Sequence, residues 1–174
     1  MKNKRNFFLA ISIVIVLFFV LFLSLDKNNN YSTENIKNIE ISDFSSLELV
    51  TNKKVVFSSV LNKSKFTILN IWASWCAPCR SEHHILLDLS KNKNTKLIGL
   101  NYKDKVVNAK SFISELGNPY DIILTDPKGL IAIELGAYAV PETYIIDNLS
   151  KKIIKKFLGP LDNNNLNEIK TIIN

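Results

Sequence analysis

Thiols and imidazoles are scarce in this chain: its 174 residues hold two cysteines, Cys76 and Cys79, and two histidines, His83 and His84. With no third cysteine, neither thiol has another intrachain partner, so any intrachain bridge joins Cys76 to Cys79. A tetrahedral zinc site would need two further ligands, and His83 and His84 follow too closely to wrap an ion comfortably. Also missing is any lysine cluster interleaved with aromatics, as a nucleic-acid groove would require. Lys151-Lys152 and Lys155-Lys156 read as the solvated face of a strand and turn. Of the 22 Lys and Arg, three (Lys2, Lys4 and Arg5) precede a long apolar run, leaving 19 against 16 Asp and Glu, a weak basic excess of +3. Nucleic acid is not an expected partner.

The most informative feature present is Trp75-Cys76-Ala77-Pro78-Cys79, which directly follows a strand-like apolar run at residues 66–72. A bridge over so short a loop removes little chain entropy beside the roughly 3 kcal/mol of a fifteen-residue loop, so stabilising the fold is a poor reason for it. Redox chemistry is the better reason, with half of a zinc site and an inert pair as alternatives. Attack on a disulfide needs a thiolate, yet a free cysteine with a pKa of about 8.5 is mostly protonated at neutral pH. Residues 77–89 carry helical periodicity in Ile85, Leu86 and Leu89, which puts Cys76 at a helix start. Unpaired N–H groups and the positive end of the helix dipole favour an anion there, and Arg80 adds positive charge nearby. Cys76 is therefore the expected attacking thiolate. Pro78 falls in the first turn, where a missing N–H costs little, and Cys79, one turn along, is the expected resolving thiol.

Residues 7–25 are apolar apart from Ser12 and Ser24, a length that spans a bilayer core, and they follow a cationic segment at residues 1–6. No small-x-small cleavage site follows, so an uncleaved anchor is expected over a removed signal peptide or a core helix. By the positive-inside tendency the rest of the chain is exported. Residues 26–42, rich in Asn, Lys and Ser, read as a flexible tether, and residues 43–174 as one domain.

Within that domain strands are expected at residues 66–72, 95–100, 121–124, 143–146 and 152–157, and helices at 77–89, 105–116 and 163–173. Strands alternating with helices, then a hairpin and a last helix, give a βαβ half joined to a ββα half. That order, with Cys-x-x-Cys at the first helix start, is similar to thioredoxin: an α/β fold with a central mixed sheet flanked by helices. Further segments resemble the membrane-anchored thiol:disulfide interchange proteins of cytochrome c maturation, the DsbE or CcmG group. They are Asn70, where thioredoxin has a buried aspartate, Arg80-Ser81-Glu82-His83, Leu100 to Asp104, Glu115 to Tyr120, and Gly136 to Thr143. Ala139 departs from the group, which usually has glycine there.

The resemblance implies a cis Val140–Pro141 bond held against the dithiol, with the Val140 backbone pairing with an extended substrate strand. It places Glu82 and Glu142 near the cysteines. Because Asn70 reads as a packing residue, Glu142 is the expected proton carrier. Trp72 is expected in the core and Trp75 over the active site; Tyr138 fits core or groove. The implied activity is reduction of the haem-binding cysteines of apocytochrome c on the periplasmic side of a bacterial inner membrane. A membrane thiol reductase would be the electron donor and the cytochrome c maturation complex the setting. Neither metal nor cofactor is implied beyond the Cys76–Cys79 disulfide. Rival readings are a general dithiol oxidoreductase or peroxide-linked reductase on the same fold, and a tethered non-catalytic binding module.

Overall fold

The computed structural model describes residues 2–25, 39–61 and 64–173. The chain forms two units, Met1–Ser32 and Thr33–Asn174. In the first, Lys2–Leu25 is a single helix, α1, of 24 residues. Its described side chains, at residues 4, 6–8 and 11–21, are all exposed. Among the described residues no helix is long and apolar enough to cross a membrane. The expected tether lies outside the described residues as far as residue 38.

The second unit runs β1 (Ile39–Glu40), β2 (Ser45–Leu47), β3 (Lys54–Val56), α2 (Phe57–Leu61), β4 (Phe66–Trp72), α3 (Ala77–Leu89), β5 (Thr95–Tyr102), α4 (Val106–Leu116), β6 (Ile122–Asp126), α5 (Leu130–Glu134), β7 (Glu142–Asp147), β8 (Lys152–Leu158) and α6 (Asn163–Ile173). Six strands make one mixed sheet in the order β1-β8-β7-β4-β5-β6, with β4, β5 and β6 parallel to one another, β7 antiparallel to both β4 and β8, and β1 antiparallel to β8. This is the thioredoxin-like α/β arrangement expected. The tether's expected end is corrected: β1 pairs with β8 through Ile39–Ile153 and Glu40–Lys152, and Ile41 is buried, so the sheet begins ahead of residue 43.

β4 is central, and all seven of its residues are buried, which is why it reads as a continuous apolar run rather than an alternating one. Strand alternation sends Phe66, Ile68 and Trp72 into the core shared with α3, α4 and α6. Leu69 and Ile71 go to the opposite face, against Phe57, Leu61 and Ala132. The same parity puts Asn70 on the α3 face, flanked in register by Gly99 of β5 and Thr143 of β7. It puts Glu142, which pairs with Ile71, on the other. That division of the two faces decides which carboxylate lies under the dithiol.

Candidate active site

The cysteines are joined as a disulfide with their Cα atoms 5.3 Å apart. Cys76 caps α3: its backbone is extended, and its Sγ accepts the Cys79 N–H at 3.1 Å. One of the otherwise unpaired donors of the helix start is thus aimed at the sulfur that would carry the negative charge. Pro78 lies in the first turn, exposed beside Ala77. Arg80, on the first turns of α3, is shared with α4. Its guanidinium bonds the Glu115 carboxylate at 2.6 and 3.2 Å and lies 5.0 Å over the Phe112 ring.

The turn ahead of Cys76 is held by Asp104. That carboxylate accepts the Ser74 N–H at 2.6 Å, the Ser74 hydroxyl at 2.8 Å and the Asn101 amide at 3.0 Å. Trp75 donates through Nε1 to the Lys103 carbonyl at 3.1 Å and leaves its ring exposed at the rim. Trp72 is core, stacked on Tyr120 with ring centroids 5.7 Å apart.

Under the dithiol lies a buried polar network that one-strand periodicity could not assemble. Asn70 donates through Nδ2 to Glu82 at 2.9 Å and to the Thr143 hydroxyl at 3.0 Å, and its Oδ1 accepts the Tyr120 hydroxyl at 2.8 Å. The second Glu82 oxygen accepts the Leu161 N–H at 2.7 Å. Glu82 is fully buried and stands three residues after Cys79, on the same helix face. Burial pushes its pKa up to about 7, against the opposing pull of the Leu161 and Asn70 donors. Burial, with the Glu82 charge, also raises the Tyr120 hydroxyl well above its ordinary value.

The Val140–Pro141 bond is cis. Pro141 is buried, its carbonyl accepts the Gly159 N–H at 3.0 Å, and half-buried Val140 packs against the core that contains both cysteines. Glu142 is placed differently from the expectation. Its strand parity turns it to the sheet face away from α3, where it accepts the Tyr138 and Ala139 N–H groups at 2.8 and 3.1 Å and the Tyr144 hydroxyl at 2.8 Å. Lys156 completes its surroundings at 2.8 Å. Glu82 is thus the carboxylate on the α3 face, and Glu142 is tied on the other face to the segment that precedes Pro141. Lys156, expected on a solvated strand face, is 1% exposed, whereas Lys155 pairs with Glu168 at the surface.

Tyr120 and Asp104 stand in segments quoted above for the resemblance, but no spacing rule ties either to the cysteines. Their positions follow from β5 pairing with β4 and β6 pairing in turn with β5.

A dithiol at the start of the helix that leaves the central strand of a thioredoxin-like sheet, with a cis-proline ahead of β7, the antiparallel neighbour of that strand, defines a thiol–disulfide oxidoreductase. Residues 36–173 match the family model described as Redoxin, and the chain belongs to that family. It is 34% identical to a probable thiol:disulfide interchange protein DsbE-2 of Pasteurella multocida, over 92% of this chain and 84% of that protein. It is 44% identical to the thiol:disulfide interchange protein CycY of Rhizobium leguminosarum bv. viciae, over 61% of this chain and 56% of the relative's length. The crystal structure of a putative thiol:disulfide interchange protein DsbE from Chlorobium tepidum superposes with a TM-score of 0.67, covering 78% of this chain and 94% of that one. At 23% identity that likeness speaks to the fold alone.

Proposed function

We propose that the chain is a membrane-anchored reductant of protein disulfides, exported to the periplasmic side of a bacterial inner membrane, whose client is apocytochrome c before haem attachment. The observation that carries the direction is Glu82, fully buried one helical turn from Cys79. A carboxylate there opposes a thiolate, and dithiols whose reduced form is not specially stabilised are reductants rather than oxidants.

In the forward reaction the Cys76 thiolate attacks one sulfur of the client disulfide. That S–S bond breaks, and a mixed disulfide forms. Glu82 takes the Cys79 proton; Cys79 then attacks the Cys76 sulfur, releasing the client as a dithiol and closing the Cys76–Cys79 bond. Two electrons pass from the chain to the client, and a membrane thiol reductase must return two. The electrons reside on the two sulfurs, and the reading calls for no metal or other cofactor. The maturation complex of c-type cytochromes is the proposed setting.

The anchor reading draws support from α1, which is helical without a break from Lys2 to Leu25 and whose described apolar side chains, such as Phe8, Val14 and Phe18, are exposed. Relatives named as interchange proteins support exchange chemistry.

The test is Cys79→Ser in the intact membrane protein. Cys76 then attacks but cannot be displaced, so a mixed disulfide accumulates, and an apocytochrome should be its captured partner. A couple potential near −270 mV supports a reductant, and one near −120 mV argues for an oxidase. If no covalent complex forms, and cytochrome maturation survives loss of both cysteines, the chain is a binding module and the exchange reading fails.

A further inference from the structure

Lys156 is buried on β8, and neither the dithiol nor the sheet requires a cation there. A buried ammonium persists only where it is paired and its protons are bonded. Here Nζ lies 2.8 Å from Glu142 Oε2, donates to the Gly136 carbonyl at 2.8 Å, and is 4.8 and 5.1 Å from the ring centroids of Tyr138 and Tyr144. Register explains the cluster: Lys156 stands opposite Tyr144, on the face that Glu142 also shares. Through Glu142 the same pair holds the Tyr138 and Ala139 N–H groups. The segment from Gly136 to Pro141 is thus tied at its first carbonyl and at two later amides to one ion pair beneath it.

What this segment presents outward is specific. Tyr138 is 82% exposed although one side of its ring is occupied by the ammonium. Half-buried Val140 follows it and packs against the core that contains both cysteines, ahead of buried Pro141. A cation on one face draws on the ring's negative quadrupole, so the outer face favours an apolar neighbour over a basic one.

The geometry points to Lys156 as a positioning residue: with Glu142 it fixes the Tyr138–Pro141 edge on which an extended client strand docks, and Tyr138 is the contact that prefers an apolar client side chain beside the reacting cysteine. This inference rests on the exchange reading above. It adds a recognition element on the sheet face away from Glu82.

The experiment uses the full chain in detergent, prereduced and mixed in single turnover with an oxidised Cys-x-x-Cys peptide carrying apolar flanks, followed by tryptophan fluorescence. Lys156→Met should raise the half-saturating peptide concentration about tenfold and leave the maximal rate within about twofold. The potential of the Cys76–Cys79 couple against glutathione should not move, and Lys156→Arg should restore the wild-type concentration. A merely structural role would reduce the amplitude, through loss of folded protein, and leave the half-saturating concentration unchanged; that result overturns the proposal. Should Lys156→Met not fold, Tyr138→Ser decides, because its side chain is exposed: a raised half-saturating concentration supports the recognition edge, and an unchanged one overturns it. If the wild-type chain does not reduce the peptide at any concentration, the exchange reading itself has failed.

Discussion

Asn70 on β4 donates to the Glu82 carboxylate on α3 at 2.9 Å, and this contact joins the central strand to the dithiol helix inside the core. The amide has both a donor and an acceptor to offer. It gives hydrogen bonds to Glu82 and Thr143 while taking one from Tyr120. An aspartate at residue 70 would set two carboxylates face to face, at a cost in burial and repulsion. The chain holds its ionisable group on the helix, one turn from Cys79, and a neutral partner on the strand.

Glu82 should make stability depend on pH in an unusual direction. Its folded pKa is raised from 4.5 to about 7, so between those values the native chain holds a proton that the unfolded chain has released. The associated stabilisation is fully present below pH 4.5 and is lost as pH rises through about 7; the shift corresponds to about 3 kcal/mol. Urea unfolding of wild type and Glu82→Gln should therefore differ by an amount that moves about this much in the variant's favour between pH 4.5 and pH 8. A pH-independent difference would show that Glu82 does not titrate in this range. At pH 7 the variant should also resolve mixed disulfides on the order of 100-fold more slowly, the scale of a lost general base.

His83 should act with the opposite sign. It is buried on α3 with Nε2 2.9 Å from the Gly117 carbonyl, and burial lowers its pKa, aided by Arg80 and opposed by that carbonyl. The unfolded chain, with an ordinary value of 6.5, binds the proton first. The contribution is thus present above pH 6.5 and lost as pH falls below it. Unfolding midpoints measured from pH 7.5 down to pH 5 should fall more steeply for wild type than for His83→Gln. Equal slopes would mean that the imidazole is not held neutral by the fold.

Long periodic segments were legible in the sequence because their pattern is local. The helices at residues 77–89 and 163–173 and the strand at 66–72 have the expected bounds. By contrast β1, β2, β3, α2 and α5 have two to five residues each, too few for a period to declare itself. The site divides the same way. Cys76, Cys79 and the Val140–Pro141 segment follow from motif and resemblance, whereas the surroundings of Glu82 and Glu142 follow from which face of the sheet each side chain meets. Single-residue parity about the central strand settles that, and it needs the register of β4 against β7. Lys156 shows the same limit: a lysine beside another lysine suggests solvent, and only the pairing with β7 brings it to Glu142.

Gly99 tests how tightly the network is packed. A Cβ added there would lie 2.8 Å from Trp72 Nε1 and 3.0 Å from Tyr120 Cγ, both parts of buried rings with little room to move. Gly99→Ala should cost about 1–3 kcal/mol, the usual price of overpacking a core. Because Tyr120 must shift, its hydroxyl should also leave Asn70, which near-ultraviolet circular dichroism and thermal unfolding would register together. A variant as stable as wild type, with an unchanged tyrosine environment, would show that the strand can relax around the methyl group.

Asp104 governs the approach to Cys76 without touching it. One carboxylate receives the Ser74 N–H and hydroxyl, the Asn101 amide and the Lys105 N–H, at 2.6 to 3.0 Å, and so fastens the turn before the dithiol to the end of β5. Hydrogen bonds to an ionised acceptor are the stronger kind, and this acceptor serves four donors. Asp104→Ala should destabilise the domain by about 1–3 kcal/mol. The loss should be local as well: the Ser74 amide should exchange with solvent sooner, and Trp75, bonded to the neighbouring Lys103 carbonyl, should show a changed fluorescence. With the turn loosened, the rate at which reduced Cys76 attacks a peptide disulfide should fall by about tenfold, as misplacement of a reacting group does. If the attack rate is unchanged while stability falls, Asp104 supports the fold alone, and the helix start by itself positions the nucleophile.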